Sequence, residues 1–274
     1  MKIILFGSSG MLGTYVFNNL KENYDVVCIN RDEFNIEEND WGKLYKIITN
    51  IVNSGDIIVN CAGIIPQKNN LDLRKFICVN TLFPHKLDEI SKLLNLKLIH
   101  ITTDCVYNGL KGDYNIDDKH DSQTFYGISK SLGEPIDSTV IRTSIIGEEI
   151  NGKKSLLEWI KSNKDCEIKG YQNHLWNGVT CLTLANIITT IIDEKLFWKG
   201  IKHICSPNIV SKYDLCCYIN EIYNLNITIH KIHDEETKNM TLIETPLNYN
   251  FKIKNIYEQI NDLFNYKFKN IFSN

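Results

Sequence analysis

The 274-residue sequence predicts an α/β protein: a doubly wound parallel sheet with a small C-terminal α/β lobe. Three observations carry this expectation. Short β-rich runs alternate with amphipathic helical stretches over the first half of the chain. The runs IILF, DIIVN and KLIHITT are continuously apolar rather than alternating, as expected of strands covered on both faces. A glycine-rich turn follows the first run, where such sheets begin their ligand crevice.

Strands are expected at residues 2–6, 25–30, 56–60, 96–102 and 139–142, with helical segments between them. Beyond residue 146 the alternation loosens. Helices are expected near 155–162, 182–193 and 211–223, and strands near 166–169 and 201–205. Residues 1–147 are therefore assigned to a dinucleotide-binding domain of Rossmann type and 148–274 to a substrate lobe that does not fold alone.

Composition narrows the function classes. At 43% hydrophobic and 23% charged residues the chain is ordinary globular material, neither disordered nor collagenous nor a bare coiled coil. Net charge is -3, so no overall positive field draws a nucleic acid or an anionic membrane. Nine cysteines without a Cys-x-x-Cys pair exclude a disulfide framework and a zinc ribbon, and imply a reducing, cytoplasmic setting. The four apolar residues before Gly7 are too few for a signal-peptide core, and no metal ligand set is expected.

The turn reads Gly7-Ser8-Ser9-Gly10-Met11-Leu12-Gly13 and opens a helical pattern. Glycines there let the backbone approach a pyrophosphate, and the helix N-terminus favours its charge. The second strand ends in Asn30-Arg31, where a carboxylate would ordinarily receive the ribose of NAD. Arg31 suits the 2'-phosphate of NADPH, while the adjacent Asp32 keeps NADH open.

Tyr126 and Lys130 are spaced to share one helical face, where a cation is expected to lower the phenol's pKa and make it a proton donor. About one Tyr-x-x-x-Lys match is expected by chance in such a chain, and there are two. The other, Tyr107 to Lys111, contains Gly109 and directly follows a strand, so it does not form one helical face. Thr103, at the end of the fourth strand, is placed to donate to a substrate carbonyl.

Together these residues resemble the extended short-chain dehydrogenase/reductase superfamily, and within it the dTDP-4-dehydrorhamnose reductase-like group, over nearly the whole chain. Gly7, Gly10 and Gly13 match the pyrophosphate turn. Asn60-Cys61-Ala62-Gly63 matches the motif after the third strand, and Asn80 the helix asparagine that supports the site. Thr103, Tyr126 and Lys130 match the catalytic trio, and Arg142-Thr143-Ser144 the strand that leads into the substrate lobe. The resemblance implies a homodimer that binds NADPH through Gly7, Ser9, Gly10, Met11, Leu12, Gly13, Asn30, Arg31, Cys61, Ala62, Gly63, Asn80, Tyr126 and Lys130. It implies reduction of the C4 ketone of a UDP- or dTDP-linked 4-keto-6-deoxyhexose. Thr103, Asp104, Cys105, Trp176 and Asn177 would line the sugar, beneath the Asp-rich loop 112–124.

One residue departs from the simple reductases, which carry an aromatic where this chain has Cys105. Bifunctional relatives such as GDP-fucose synthase use a cysteine there to exchange a proton beside the ketone, which implies 3-epimerisation. The partner acid is expected after Gly147, from Lys153, Lys154 or Glu158. Three other readings share the fold. A 4,6-dehydratase would resemble Thr-Asp-Glu where Cys105 stands; a non-catalytic NADP-binding regulatory subunit and an epimerase without net reduction remain as alternatives.

Overall fold

A computed structural model describes residues 1–66, 72–150, 152, 154–246, 249 and 251–268. Its centre is a six-stranded parallel sheet of β1 (Lys2–Phe6), β2 (Asp25–Ile29), β3 (Ile57–Asn60), β4 (Lys97–Thr103), β5 (Thr139–Thr143) and, from the C-terminal half, β10 (Gly200–His203). The order is β10-β5-β4-β3-β1-β2. The chain therefore reverses its winding direction at β1, and a ligand crevice forms at the carboxyl ends beside it. All four residues of β3 and six of the seven in β4 are buried, which is why these strands show no polar alternation.

Helices α1 (Met11–Leu20), α2 (Trp41–Ile51), α3 (Leu73–Phe76), α4 (Phe83–Leu93) and α5 (Phe125–Ser131) connect the strands. A π-helical stretch, Ile77–Leu82, joins α3 to α4 and carries Asn80. The remaining elements are β6 (Ile145–Ile146), α6 (Leu156–Ser162), β7 (Glu167–Tyr171), β8 (His174–Trp176), β9 (Val179–Thr180), α7 (Cys181–Asp193), β11 (Val210–Ser211), α8 (Lys212–Tyr223), β12 (Thr228–Ile232), β13 (Lys238–Asn239) and α9 (Ile256–Asn265). No helix among the described residues is long and apolar enough to cross a membrane.

The division at residue 147 needs correction. Strand β10 pairs with β5 inside the main sheet, and α7 packs along α1. One apolar cluster runs from Ile3 and Val59 through Ile188 and Leu215 to Ile260. Residues 148–274 thus supply part of the dinucleotide-type core as well as the smaller lobe, because β5 and α1 would otherwise expose apolar flanks.

Arg142 is fully buried on β5. Its guanidinium donates to both carboxylate oxygens of Glu134, at 3.1 and 2.7 Å, and to the Tyr107 hydroxyl at 2.6 Å. His203 Nε2 lies 2.9 Å and His120 Nε2 2.7 Å from it. Both imidazoles must accept from the cation, so both are held neutral. Burial first, and Arg142 second, bring His203 down to about 4. The unfolded chain takes up a proton near pH 6.5 and the folded chain does not, so this group stabilises the fold above pH 6.5 and its contribution drains away toward pH 4. At about 1.4 kcal/mol per unit, the loss approaches roughly 3 kcal/mol. Thermal melting between pH 7 and 5 should therefore fall by about 5 °C more in the native chain than in His203→Asn; equal slopes would show that His203 is not the neutral acceptor described.

Candidate active site

The glycine turn is built by contact as much as by conformation. Gly7 has φ +76°, and a Cβ on it would meet the backbone of Cys61 and Ala62 at 2.6–2.8 Å. On Gly13 a Cβ would lie 2.0 Å from the Gly7 carbonyl oxygen, so helix α1 closes directly onto the turn. Gly10 is the N-cap of α1, with no side-chain cap and no acidic residue in the first turn. The orphan N–H groups of α1 are thus left for an external anion. By contrast, α2 is capped by Asp40, α5 by Thr124 and α9 by Asn255.

A cleft of about 680 Å³ runs outward from this turn, lined by Gly7, Ser9, Gly10, Asn30, Arg31 and Ala62 among others. Cys61 and Gly63 also face it, whereas Met11 and Leu12 belong to α1 and pack toward the core. Arg31 stands three-quarters exposed at the rim, 3.5 Å from Glu37, which Lys75 also approaches at 3.0 Å. Ser8 Oγ donates to Asn30 Oδ1 at 3.2 Å, which ties the turn to the end of β2. The glycine cradle, the uncapped helix and the rim arginine together fit a phosphorylated dinucleotide.

At the other end of the crevice, Thr103 closes β4 and Cys105 follows in a short 3-10 turn, Asp104–Val106. Thr103 Oγ1 donates to Asp104 Oδ1 at 3.0 Å and accepts from the Cys105 N–H at 3.2 Å. Tyr126 sits beside them on α5 with its ring against Phe76, centroids 6.4 Å apart. Lys130, one turn further, donates to the Ile101 carbonyl at 3.0 Å. Asn80 braces the floor: its amide pairs with both backbone groups of Ile64, at 2.9 and 3.0 Å, and donates to Ser129 Oγ at 3.1 Å. The π-helical widening at Ile77–Leu82 lets that asparagine reach across.

The electrostatics differ from the sequence expectation. Burial, reinforced by Cys105, raises the Tyr126 phenol rather than lowering it, and Thr103 offsets only part of the rise. Burial also brings Lys130 down to about 8, with Glu134 working against the shift, and its ammonium rests against the Ile101 carbonyl and not against the phenol. Cys105 is likewise pushed up to about 12, first by burial and then by the Asp104 carboxylate, to which its Sγ donates at 3.5 Å. Asp104 itself is raised by burial, with Ser144 and Thr103 working against the shift.

Of the residues assigned to the sugar, Trp176 is buried at 5% exposure and borders a second cavity of about 80 Å³ with Ser144, Ser155 and Lys212. Asn177 is committed elsewhere: its amide clamps the backbone of Leu242 at 2.8 and 2.9 Å. The Asp-rich loop is braced by its own carboxylates, Asp121 accepting from Asn108 N–H and Asp118 from Asn115 N–H, each at 2.8 Å. Tyr107 stacks on Tyr114 and holds Arg142, so the rival Tyr107–Lys111 pair is structural. Lys153 lies outside the described residues, while Glu158 faces Lys161 at 3.3 Å.

Lys212 escaped the sequence reading. Its signal was an anomaly: it is the first residue of α8, behind the Ser211–Asp214 capping box, where the helix dipole disfavours a cation.

Fold and site together define a protein of the short-chain dehydrogenase/reductase type, with a dinucleotide cradle and a Thr-Tyr-Lys group at the same sheet edge. The chain belongs to the RmlD substrate binding domain family, whose profile matches residues 1–250. It is 27% identical over 257 residues to the spore coat polysaccharide biosynthesis protein SpsK of Bacillus subtilis, covering 88% of this chain and 86% of that protein. It is 26% identical to a dTDP-4-dehydrorhamnose reductase of Mycolicibacterium smegmatis, covering 78% of this chain and 66% of that one. Among solved structures, a dTDP-4-dehydrorhamnose reductase from Bacillus anthracis in complex with NADP superposes with a TM-score of 0.82 at 19% identity, over 96% of this chain and 98% of that one.

Gly13→Ala should weaken NADPH binding at least tenfold in a fluorescence titration, since its methyl collides with backbone at 2.0 Å. Gly10→Ala, whose nearest contact is 3.2 Å, should cost far less. Equal effects would show that the turn does not cradle the phosphates.

Proposed function

We propose that this protein is an NADPH-dependent reductase of the C4 keto group of a dTDP- or UDP-linked 4-keto-6-deoxyhexose, serving deoxysugar biosynthesis, with 3-epimerisation through Cys105. The observation that carries the reading is the convergence of Thr103, Tyr126 and Lys130 at the carboxyl edge of the sheet that also bears the glycine cradle. Family membership and the reductase from Mycolicibacterium smegmatis support the same class of reaction.

A bound reduced nicotinamide supplies the hydride. The protein's own part is to hold the carbonyl and to supply a proton. Thr103 Oγ1 and the Tyr126 hydroxyl grip the carbonyl oxygen, which becomes an alkoxide as charge develops. Tyr126, kept protonated by burial, is the donor to that oxygen. Lys130, poised near 8 and buried, offers its ammonium to a ribose hydroxyl. Arg31 at the rim is free to turn from Glu37 toward a 2'-phosphate, which supports NADPH over NADH.

A homodimer belongs to the same proposal. Ile77 at 51% exposure, Phe125 and Ile128 on α5 at 56% and 42%, and Leu132 just past its end at 61% present apolar surface on neighbouring elements. Ile128→Glu combined with Leu132→Glu should sediment as a monomer where the native chain sediments as a dimer; a monomeric native chain would refute this part.

The enzymatic reading is tested by mixing the protein with NADPH and a panel of dTDP- and UDP-linked 4-keto-6-deoxy sugars. NADPH absorbance should fall with at least one of them, and Tyr126→Phe should slow that reaction about a thousandfold. NADPH binding without consumption by any sugar would instead favour a regulatory subunit.

A further inference from the structure

Lys212 is the one cation of the inter-lobe cavity whose charge has no counter-ion in contact. Among the described residues its ammonium makes no hydrogen bond and no ion pair; it lies 5.3 Å over the Trp176 ring. A cation partly withdrawn from water without a carboxylate is costly, and the N-terminus of α8 adds to the cost. The surrounding groups are Ser144 and Ser155 hydroxyls, the indole of Trp176 and the apolar Ile145, Leu156 and Leu215. The charged or thiol groups within electrostatic reach are Asp104, Cys105 and Cys216. Ser144 in turn neighbours the Asp104 carboxylate, so the cavity is continuous in chemistry with the Thr103–Asp104–Cys105 turn.

The partner group for Cys105 was expected from the segment after Gly147. Glu158 is turned instead to Lys161 and to the backbone of Glu149. Lys154, mostly exposed, follows a backbone bond to Glu149 at 2.8 Å and does not line the cavity. Lys212 does line it, from the C-terminal lobe, whereas Cys105 comes from the sheet edge. A sugar lying between the lobes would meet one group from each side.

We infer that Lys212 is the proton donor that completes 3-epimerisation opposite Cys105. The inference rests on the epimerase part of the proposed function. Cys105 passes its thiol proton to the Asp104 carboxylate, which it already contacts at 3.5 Å. The thiolate then takes the C3 proton beside the C4 ketone, and the C–H electron pair becomes the enolate. The enolate carbon takes a proton from the Lys212 ammonium on the other face and the ketone is restored. Lys212 is left neutral, Cys105 carries the abstracted proton, and exchange with water resets the three groups. No electron is gained or lost overall. The ammonium also stabilises the enolate charge while it exists.

The test uses the full chain with NADPH and dTDP-4-keto-6-deoxyglucose or its UDP analogue in deuterated water. It reads deuterium at C3 of the product per NADPH consumed, with melting temperature and NADPH fluorescence reporting a folded protein. Lys212→Gln should lower that ratio at least tenfold. Lys212→Arg should lower it as well, because a guanidinium keeps the charge but does not surrender a proton. A folded Lys212→Gln with the native ratio overturns the assignment. A native ratio in Lys212→Arg alone overturns the proton donor in favour of a fixed charge. If the native chain incorporates no deuterium while consuming NADPH, the epimerase reading itself fails. If Cys105→Ala abolishes incorporation but Lys212→Gln does not, only Lys212 is misassigned.

Discussion

The buried guanidinium of Arg142 is the fastening on which the site depends. It reaches Tyr107, four residues past Thr103, and Glu134, four residues past Lys130. The strand end that bears Thr103 and the helix that bears Tyr126 and Lys130 are thereby pinned to one rigid, planar group on β5. Loop 112–124 is tied in through His120, and β10 through His203. A lysine would not replace it, since a single ammonium cannot span five acceptors in one plane. A buried ion pair of this kind contributes little net stability relative to apolar packing, but removing one partner strands a charge at a cost of about 3–5 kcal/mol. What it provides is position: Tyr126 and Thr103 are held at one edge without touching Arg142 at all.

A second brace acts from below. Asn80 satisfies both backbone groups of Ile64 and then reaches Ser129, one residue before Lys130. The segment after β3 and the helix bearing Lys130 are therefore tied to each other through one side chain. Lys130 closes the same loop by bonding to Ile101 on β4. The cofactor cradle is fixed by a different means, steric closeness, with Gly7 against Cys61 and Ala62 and Gly13 against Gly7. Hydrogen bonds position the strand end and helix that bear Thr103, Tyr126 and Lys130, and absent side chains let the turn, β3 and α1 approach closely.

Much of this was legible in the chain itself. The continuous apolar runs placed five parallel strands to within a residue or two, and the glycine turn marked the crevice. Three things were not legible, for separate reasons. Arg142 bonds to residues up to 61 positions away, and nothing local marks an arginine as buried. Strand β10 lies in a stretch whose pattern had already loosened, so its return to the main sheet was hidden by the apparent boundary at 147. The phenol of Tyr126 was expected to ionise more readily beside a cation. Spacing along a helix says that two side chains share a face, but not how much water is left around them or where the cation rests: burial raises the phenol, and the Lys130 ammonium bonds to the Ile101 carbonyl instead of lowering it.

The interlocking of the lobes has a mechanical consequence for the site. Helix α1, whose bare N-terminus borders the glycine-lined cleft, is backed along its length by α7 from the other half of the chain. At their meeting point stands Gly147, where a Cβ would come within 2.7 Å of Cys181 Sγ and 3.4 Å of Met11. Tyr15 of α1 adds a bond from the Glu148 N–H at 3.3 Å and packs against Tyr266 and Phe268. Residues 147 and 148 are therefore anchored to α1, Gly147 against its first residue Met11 and Glu148 against Tyr15. Trp176 and the helix that carries Lys212, through Leu215, share the apolar cluster that holds Leu12, Tyr15 and Val16 of α1, so they are registered against the glycine turn by direct packing.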